Sequence, residues 1–198
     1  MDKKTKKAFE AVVKGLGLTD SDVCKWLIER DAFLVPTELP IVYAEDRELT
    51  IKHGLDIKLK DKVWGIQLSS GIILAGDLLR RTEDNESFSG KEIMELAKSY
   101  TLDGKSGSVP PSWRFEKLKI GKEWLLFQKT IHTLNDYCDS CLDFDWGVVW
   151  TSTNHFNTSF LCFDLQKVNY LKDWGAGYIN NWYSYEKRFE NARLALWF

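Results

Sequence analysis

The segment Val63-Trp-Gly-Ile-Gln-Leu-Ser-Ser-Gly-Ile-Ile-Leu-Ala constrains the fold of this chain more than any other stretch. Two apolar runs flank Ser69-Ser70-Gly71, a turn composition, so the spacing predicts a β-hairpin over 63–75. Strand-like runs precede it at Ile41–Tyr43, Leu49–Ile51 and Ile57–Leu59. Others follow late in the chain, at 148–152, 160–165 and 168–171, with a closing strand over 193–198. Between the two β-rich parts the period becomes helical. Ser89 is placed to cap a helix running to about Ser99, with Ile93, Met94, Leu96 and Ala97 apolar. A further helical region covers about 113–135, with a break expected near Gly121. Residues 78–88, 103–108 and 173–186 read as loops. This order predicts an α+β domain over residues 41–198.

Residues 1–36 form a separate expectation. Ala8, Phe9, Val12, Val13 and Leu16 recur at helical spacing, and Gly15 and Gly17 mark an end. Thr19-x-x-Asp22 resembles a capping box opening a second helix with Val23, Trp26 and Leu27. A short helical hairpin is therefore expected, packing or dimerising, which makes a homo-oligomer an open expectation. Half of a DNA-binding helix-turn-helix has the same outline. No third helix follows, and the second offers only Lys25 and Arg30, so no nucleic-acid partner is expected. The balance of 27 basic and 29 acidic residues gives no general footprint for nucleic acid or an anionic membrane. No run of eighteen apolar residues occurs, so no membrane insertion is expected. The basic start lacks an apolar segment after it. No secretory signal is read, and a cytoplasmic location is expected.

Several motifs in the C-terminal part share an order. Val109-Pro110-Pro111-Ser112 introduces the helical region carrying Glu123 and Trp124. Val149-Trp150-Thr151-Ser152-Thr153 follows, then Ser159-Phe160-Leu161-Cys162-Phe163-Asp164, then Asn180-Asn181 in a polar stretch. Asn191-Ala192-Arg193-Leu194-Ala195-Leu196-Trp197-Phe198 closes the chain. In this order residues 60–198 resemble the C-type-lectin-like domains related to the C-terminal domain of Legionella collagen-like adhesins. The Fibrobacter major paralogous domain is similar. The resemblance implies a twisted antiparallel sheet with flanking helices and a long loop region, in which the terminal strand pairs near the opening hairpin. It implies a scaffold that presents loops to a ligand. The Glu-Pro-Asn, Gln-Pro-Asp and Trp-Asn-Asp strings of calcium-dependent sugar sites are absent. The resemblance therefore carries the scaffold and not that sugar chemistry, and no cofactor or metal is expected.

The candidate ligand-binding residues are Trp174, Tyr178, Asn180, Asn181, Trp182, Tyr183 and Tyr185, with Phe189 beside them. Tyr and Trp offer large contact area at low entropic cost, with a polar tip, which suits a protein or a glycan. The same rings suit a second role, pinning a long loop onto the core. On this reading the chain is a non-enzymatic binding module. By analogy with retroelement-variable proteins of this fold, the loop would be a diversified surface. The alternatives are an assembly subunit joined through the N-terminal helices and an enzyme of a formylglycine-generating-like scaffold. The latter needs paired reactive cysteines, for which Cys138, Cys141 and Cys162 are the material. Cys138 and Cys141 form a C-x-x-C without a second pair at zinc spacing, though His132 and His155 lie within reach in sequence. Asp136, Asp139, Asp143 and Asp145 cluster without the spacing of a calcium loop, so a solvated acidic rim is expected. Ser112, Ser152 and Thr153 are read as structural, as are Trp64, Trp124 and Trp150. Asp103-Gly-Lys-Ser-Gly does not satisfy a phosphate loop.

Overall fold

A computed structural model describes residues 34–79, 88–116, 120–138, 148–155, 159–164, 180–184, 186–189 and 192–198. It also describes Lys7, Glu10, Ala11, Lys14, Gly15, Gly17 and Thr19. Of these last, Lys7, Glu10, Ala11, Lys14 and Gly15 are helical, and Gly17 has φ of 65°. The second expected N-terminal helix and the strand expected at 168–171 lie outside the described residues.

The chain is a mixed α/β protein. Its strands are β1 (Leu34–Val35), β2 (Ile41–Glu45), β3 (Glu48–Lys52), β4 (Leu55–Asp56), β5 (Val63–Gln67) and β6 (Ile73–Leu78). After helix α1 (Gly90–Lys98) come β7 (Thr101–Leu102) and β8 (Lys105–Ser106). Helices α2 (Ser112–Glu116) and α3 (Ile120–Tyr137) follow, then β9 (Val148–His155), β10 (Ser159–Asp164), β11 (Asn180–Ser184) and β12 (Ala192–Leu196). Among the described residues ten strands form one sheet, in the order β11-β10-β9-β12-β6-β5-β2-β3-β7-β8. β1 and β4 pair separately.

Period-two alternation sorts neighbouring residues onto opposite faces of the sheet. Ile41, Tyr43, Ile66, Leu74, Val149, Leu161 and Ala195 join one core cluster with Phe127, Ile131 and Leu134 of α3. Val42, Ile73, Ala75, Val148, Trp150, Cys162, Leu194 and Leu196 join the other with Ile93 and Ala97 of α1. The sheet is thus covered by α3 on one face and α1 on the other. β12 is buried along its whole length, because it runs between β6 and β9 in the middle of the sheet. It is antiparallel to β6, the return strand of the expected hairpin, and parallel to β9. The closing strand therefore ties the last residues to that hairpin.

Local chemistry explains where elements begin. Ser89 and Glu92 make a reciprocal capping box, with Ser89 N donating to Glu92 Oε2 at 2.8 Å. The Asp103-Gly104 pair has φ of 50° and 74° and makes the tight turn between β7 and β8. Three expectations are corrected. Ile57–Leu59 is not a strand but part of a 3-10 helix over Ile57–Lys62. Asp56 starts that helix by accepting from Lys58 N at 3.0 Å, and Ile57 and Leu59 pack against the α3-side core. Lys105–Ser106, expected as loop, form β8. The helical region expected over 113–135 is divided as expected, into α2 and α3, and α3 starts at Ile120, beside Gly121. Residues 180–184, expected as loop, form β11. No helix among the described residues is long and apolar enough to cross a membrane.

Asp56 is buried and accepts from Lys52 Nζ at 2.6 Å, while its own N–H donates to the Tyr43 hydroxyl at 2.7 Å. The Lys52 ammonium holds the Asp56 carboxyl below its ordinary value, against the opposing effect of burial. A depressed folded pKa contributes stability that is present above the unfolded value and is lost as pH falls through the folded one. Asp56→Asn is expected to cost about 1–3 kcal/mol at neutral pH. Urea midpoints measured down into the acid range should converge for variant and wild type. A gap that stays constant with pH would remove Asp56 as the acid-sensitive group.

Candidate functional site

The residues expected to bind ligand meet the structure at β11. Asn180, Asn181, Trp182 and Tyr183 are all in this strand, whose register on β10 pairs Asn180 with Phe163, Asn181 with Cys162, Trp182 with Leu161 and Tyr183 with Phe160. Among the described residues β11 is one of the two edge strands of the sheet. Trp174, Tyr178 and Tyr185 lie outside the described residues. Tyr183 is half-buried and meets Phe189 edge-on, with ring centroids 4.8 Å apart. Phe189 in turn lies 5.6 Å from the ring of Trp150, which is fully buried. Lys187 Nζ stands 5.9 Å over the Phe189 ring. Tyr183 and Phe189 therefore do anchor this part of the chain onto the core face covered by α1.

The motifs that carried the resemblance interlock. Ser152 N donates to Pro110 O at 3.0 Å, Ser112 N to Thr153 Oγ1 at 2.9 Å, and Thr153 Oγ1 to Ser112 Oγ at 2.9 Å. Ser108 and Trp197 exchange backbone bonds of 2.9 and 2.8 Å. These contacts give Ser112 and Thr153 structural work, as the sequence reading held. Glu123, buried on α3, accepts from Ser69 N at 2.6 Å and Ser69 Oγ at 2.5 Å, clamping the tip of the β5–β6 hairpin.

A cluster that sequence reasoning missed lies beside that tip. Arg114 of α2 donates from Nη1 to Ser70 O at 3.2 Å. Its guanidinium carbon lies 4.5 Å from the ring of Trp113 and 4.6 Å from the ring of Trp197. The two indoles meet edge-on at 6.4 Å, and Trp113 is 41% exposed. The adjacent Trp113-Arg114 pair was a visible signal, but the partner Trp197 is remote in sequence.

The cysteines divide between faces. Cys138 follows α3 in one core cluster, and Cys162 sits on β10 in the other, so the sheet separates them. Burial pushes the Cys162 thiol up to about 12, which keeps it protonated at neutral pH. This pair does not supply the two neighbouring thiols that formylglycine-generating chemistry needs. Cys141, Asp139, Asp143 and Asp145 lie outside the described residues. His132 Nδ1 is 3.9 Å from Asp136 on the exposed side of α3. Among the described residues no three His, Cys, Asp or Glu side chains group as metal ligands.

Compared with known proteins, the chain matches no family model, no curated protein and no solved structure.

Proposed function

We propose that this chain is a non-enzymatic ligand-binding module on a C-type-lectin-like scaffold. Its ligand, a protein or a glycan, would be held by the aromatic and asparagine-bearing segment around β11. The observation that carries the reading is the placing of Asn180–Tyr183 on a register-fixed edge strand. From that strand Tyr183 meets Phe189 edge-on, and Phe189 rests against the buried Trp150. A rigid platform behind a contact segment lowers the ordering cost of binding. Within the segment the roles divide. Tyr183 works as an anchor, and Trp182, Tyr185 and the two asparagines are the contact residues.

The test is a Trp182→Ala/Tyr185→Ala variant that keeps Tyr183. It should melt within a few degrees of wild type and lose a ligand that wild type captures on a glycan array or from a defined protein panel. A parallel Phe189→Ala variant should lower the melting temperature, since it removes a ring from the core, at a cost of about 3 kcal/mol. A double variant that retains the ligand at wild-type affinity sinks the proposal.

A further inference from the structure

Arg114 is a cation held against two indole rings, and among the described residues it has no carboxylate partner. Its one hydrogen bond is Nη1 to the Ser70 carbonyl. Its Nε is buried and makes no hydrogen bond. Among the described residues Nη2 also makes none, and it is not fully buried. The Nε–Nη2 edge of a guanidinium is a planar fork that matches a carboxylate, and charge-assisted bonds of this kind are about twice as strong as neutral ones. Leaving a buried donor without a partner is costly, and an incoming acceptor recovers that cost. Indole walls also lower the local dielectric and strengthen such a contact.

We infer that Arg114 with Trp113 forms a binding site for the carboxylate of an acidic sugar. The carboxylate meets Nη2, with Nε beside it as the second donor of the fork. The apolar C–H face of the pyranose packs on the partly exposed Trp113 indole, whose ring offers a flat apolar surface. An extended acidic peptide fits less well, because the backbone beside the site is already in use. Ser108 N and Oγ both donate to Trp197 O, Trp197 N donates to Ser108 O, and Ser70 O accepts from Arg114. Among the described residues these backbone groups are therefore already paired and not free to join a peptide strand. This site is built from α2, the β5–β6 tip and the end of β12. It does not depend on the β11 segment.

The experiment titrates the full chain with oligogalacturonate, with its methyl ester, and with a polyglutamate peptide. Indole fluorescence and calorimetry read the binding. Oligogalacturonate should bind, and the ester should bind about tenfold more weakly or not at all. Arg114→Gln and Trp113→Ala should each weaken oligogalacturonate by a similar factor, and binding that is lost in Trp182→Ala/Tyr185→Ala but kept in Arg114→Gln and Trp113→Ala assigns the sugar to the β11 segment and overturns the proposal. If Arg114→Gln fails to fold for loss of the Ser70 contact, Trp113→Ala and the ester comparison decide. Absence of oligogalacturonate binding, or equal binding of acid and ester, overturns the proposal. Polyglutamate binding as tightly as the sugar overturns it too and gives the site to peptide carboxylates.

Discussion

Gly65→Ala is expected to destabilise the protein by about 3 kcal/mol or more, lowering Tm by roughly 6–12 °C. A β-carbon at Gly65 would fall well inside contact distance of the Leu74 carbonyl oxygen, 3.0 Å from the Leu74 carbonyl carbon and 3.2 Å from the Ala75 α-carbon. These are backbone atoms of β6, the neighbouring strand, and Gly65 is also paired with Val42 of β2 on its other side. Relief would need β5 and β6 to part in the middle of the sheet, where both core clusters depend on them. Gly71 makes the informative control. It has φ of 83° and nothing within 4 Å of a built β-carbon, so its constraint is conformational and not spatial. Gly71→Asn should therefore cost little, since asparagine tolerates the left-handed region, and Gly65→Asn should be severe. Thermal melts of the three variants check this. A Gly65→Ala protein that melts with wild type would show that β5 and β6 do not approach so closely.

The second large effect is expected at Trp150. Trp150→Ala should cost about 3–5 kcal/mol, because the side chain is 1% exposed and fills the space between Gly90 and Phe189. Trp150→Phe should cost less. It keeps a ring there and removes an indole N–H that is buried without a partner. Gly90 gives the coupling test. A β-carbon there would lie 2.7 Å from Cζ3 of Trp150, so Gly90→Ala alone should be destabilising by about 1–3 kcal/mol. Cζ3 is absent from phenylalanine, and the Gly90→Ala/Trp150→Phe double variant should be more stable than the sum of the singles implies. A coupling of about 1 kcal/mol is expected. Strict additivity in denaturant melts would mean that α1 does not rest on this indole.

Much of the architecture was readable without coordinates. The hairpin of β5 and β6, the capping box that opens α1 and the strands β9 and β10 all follow from local period and turn chemistry. In each case the signal lies within a few residues. Where reading failed, hydrogen bonding overrode the local hydrophobic period. Ile57–Leu59 alternates like a strand, but the Asp56 carboxylate takes Lys58 N and turns the chain. Asn180–Ser184 has loop composition and becomes a strand because β10 offers it an unpaired edge.

The candidate site divides in the same way. The aromatic content of 174–189 was plain in the sequence. Which ring anchors was not, because a ring's role depends on what lies behind it. For Tyr183 and Phe189 that is Trp150, more than thirty residues earlier in the chain. The Trp113–Arg114–Trp197 cluster was equally hidden, since β12 brings Trp197 to α2 only when the closing strand enters the middle of the sheet. The sequence by itself determined the elements whose energetics are local: turns, caps and period. The tertiary structure decided strand order, the division of residues between two cores, and which side chains meet across the chain. Those outcomes depend on burial against partners that no local window contains.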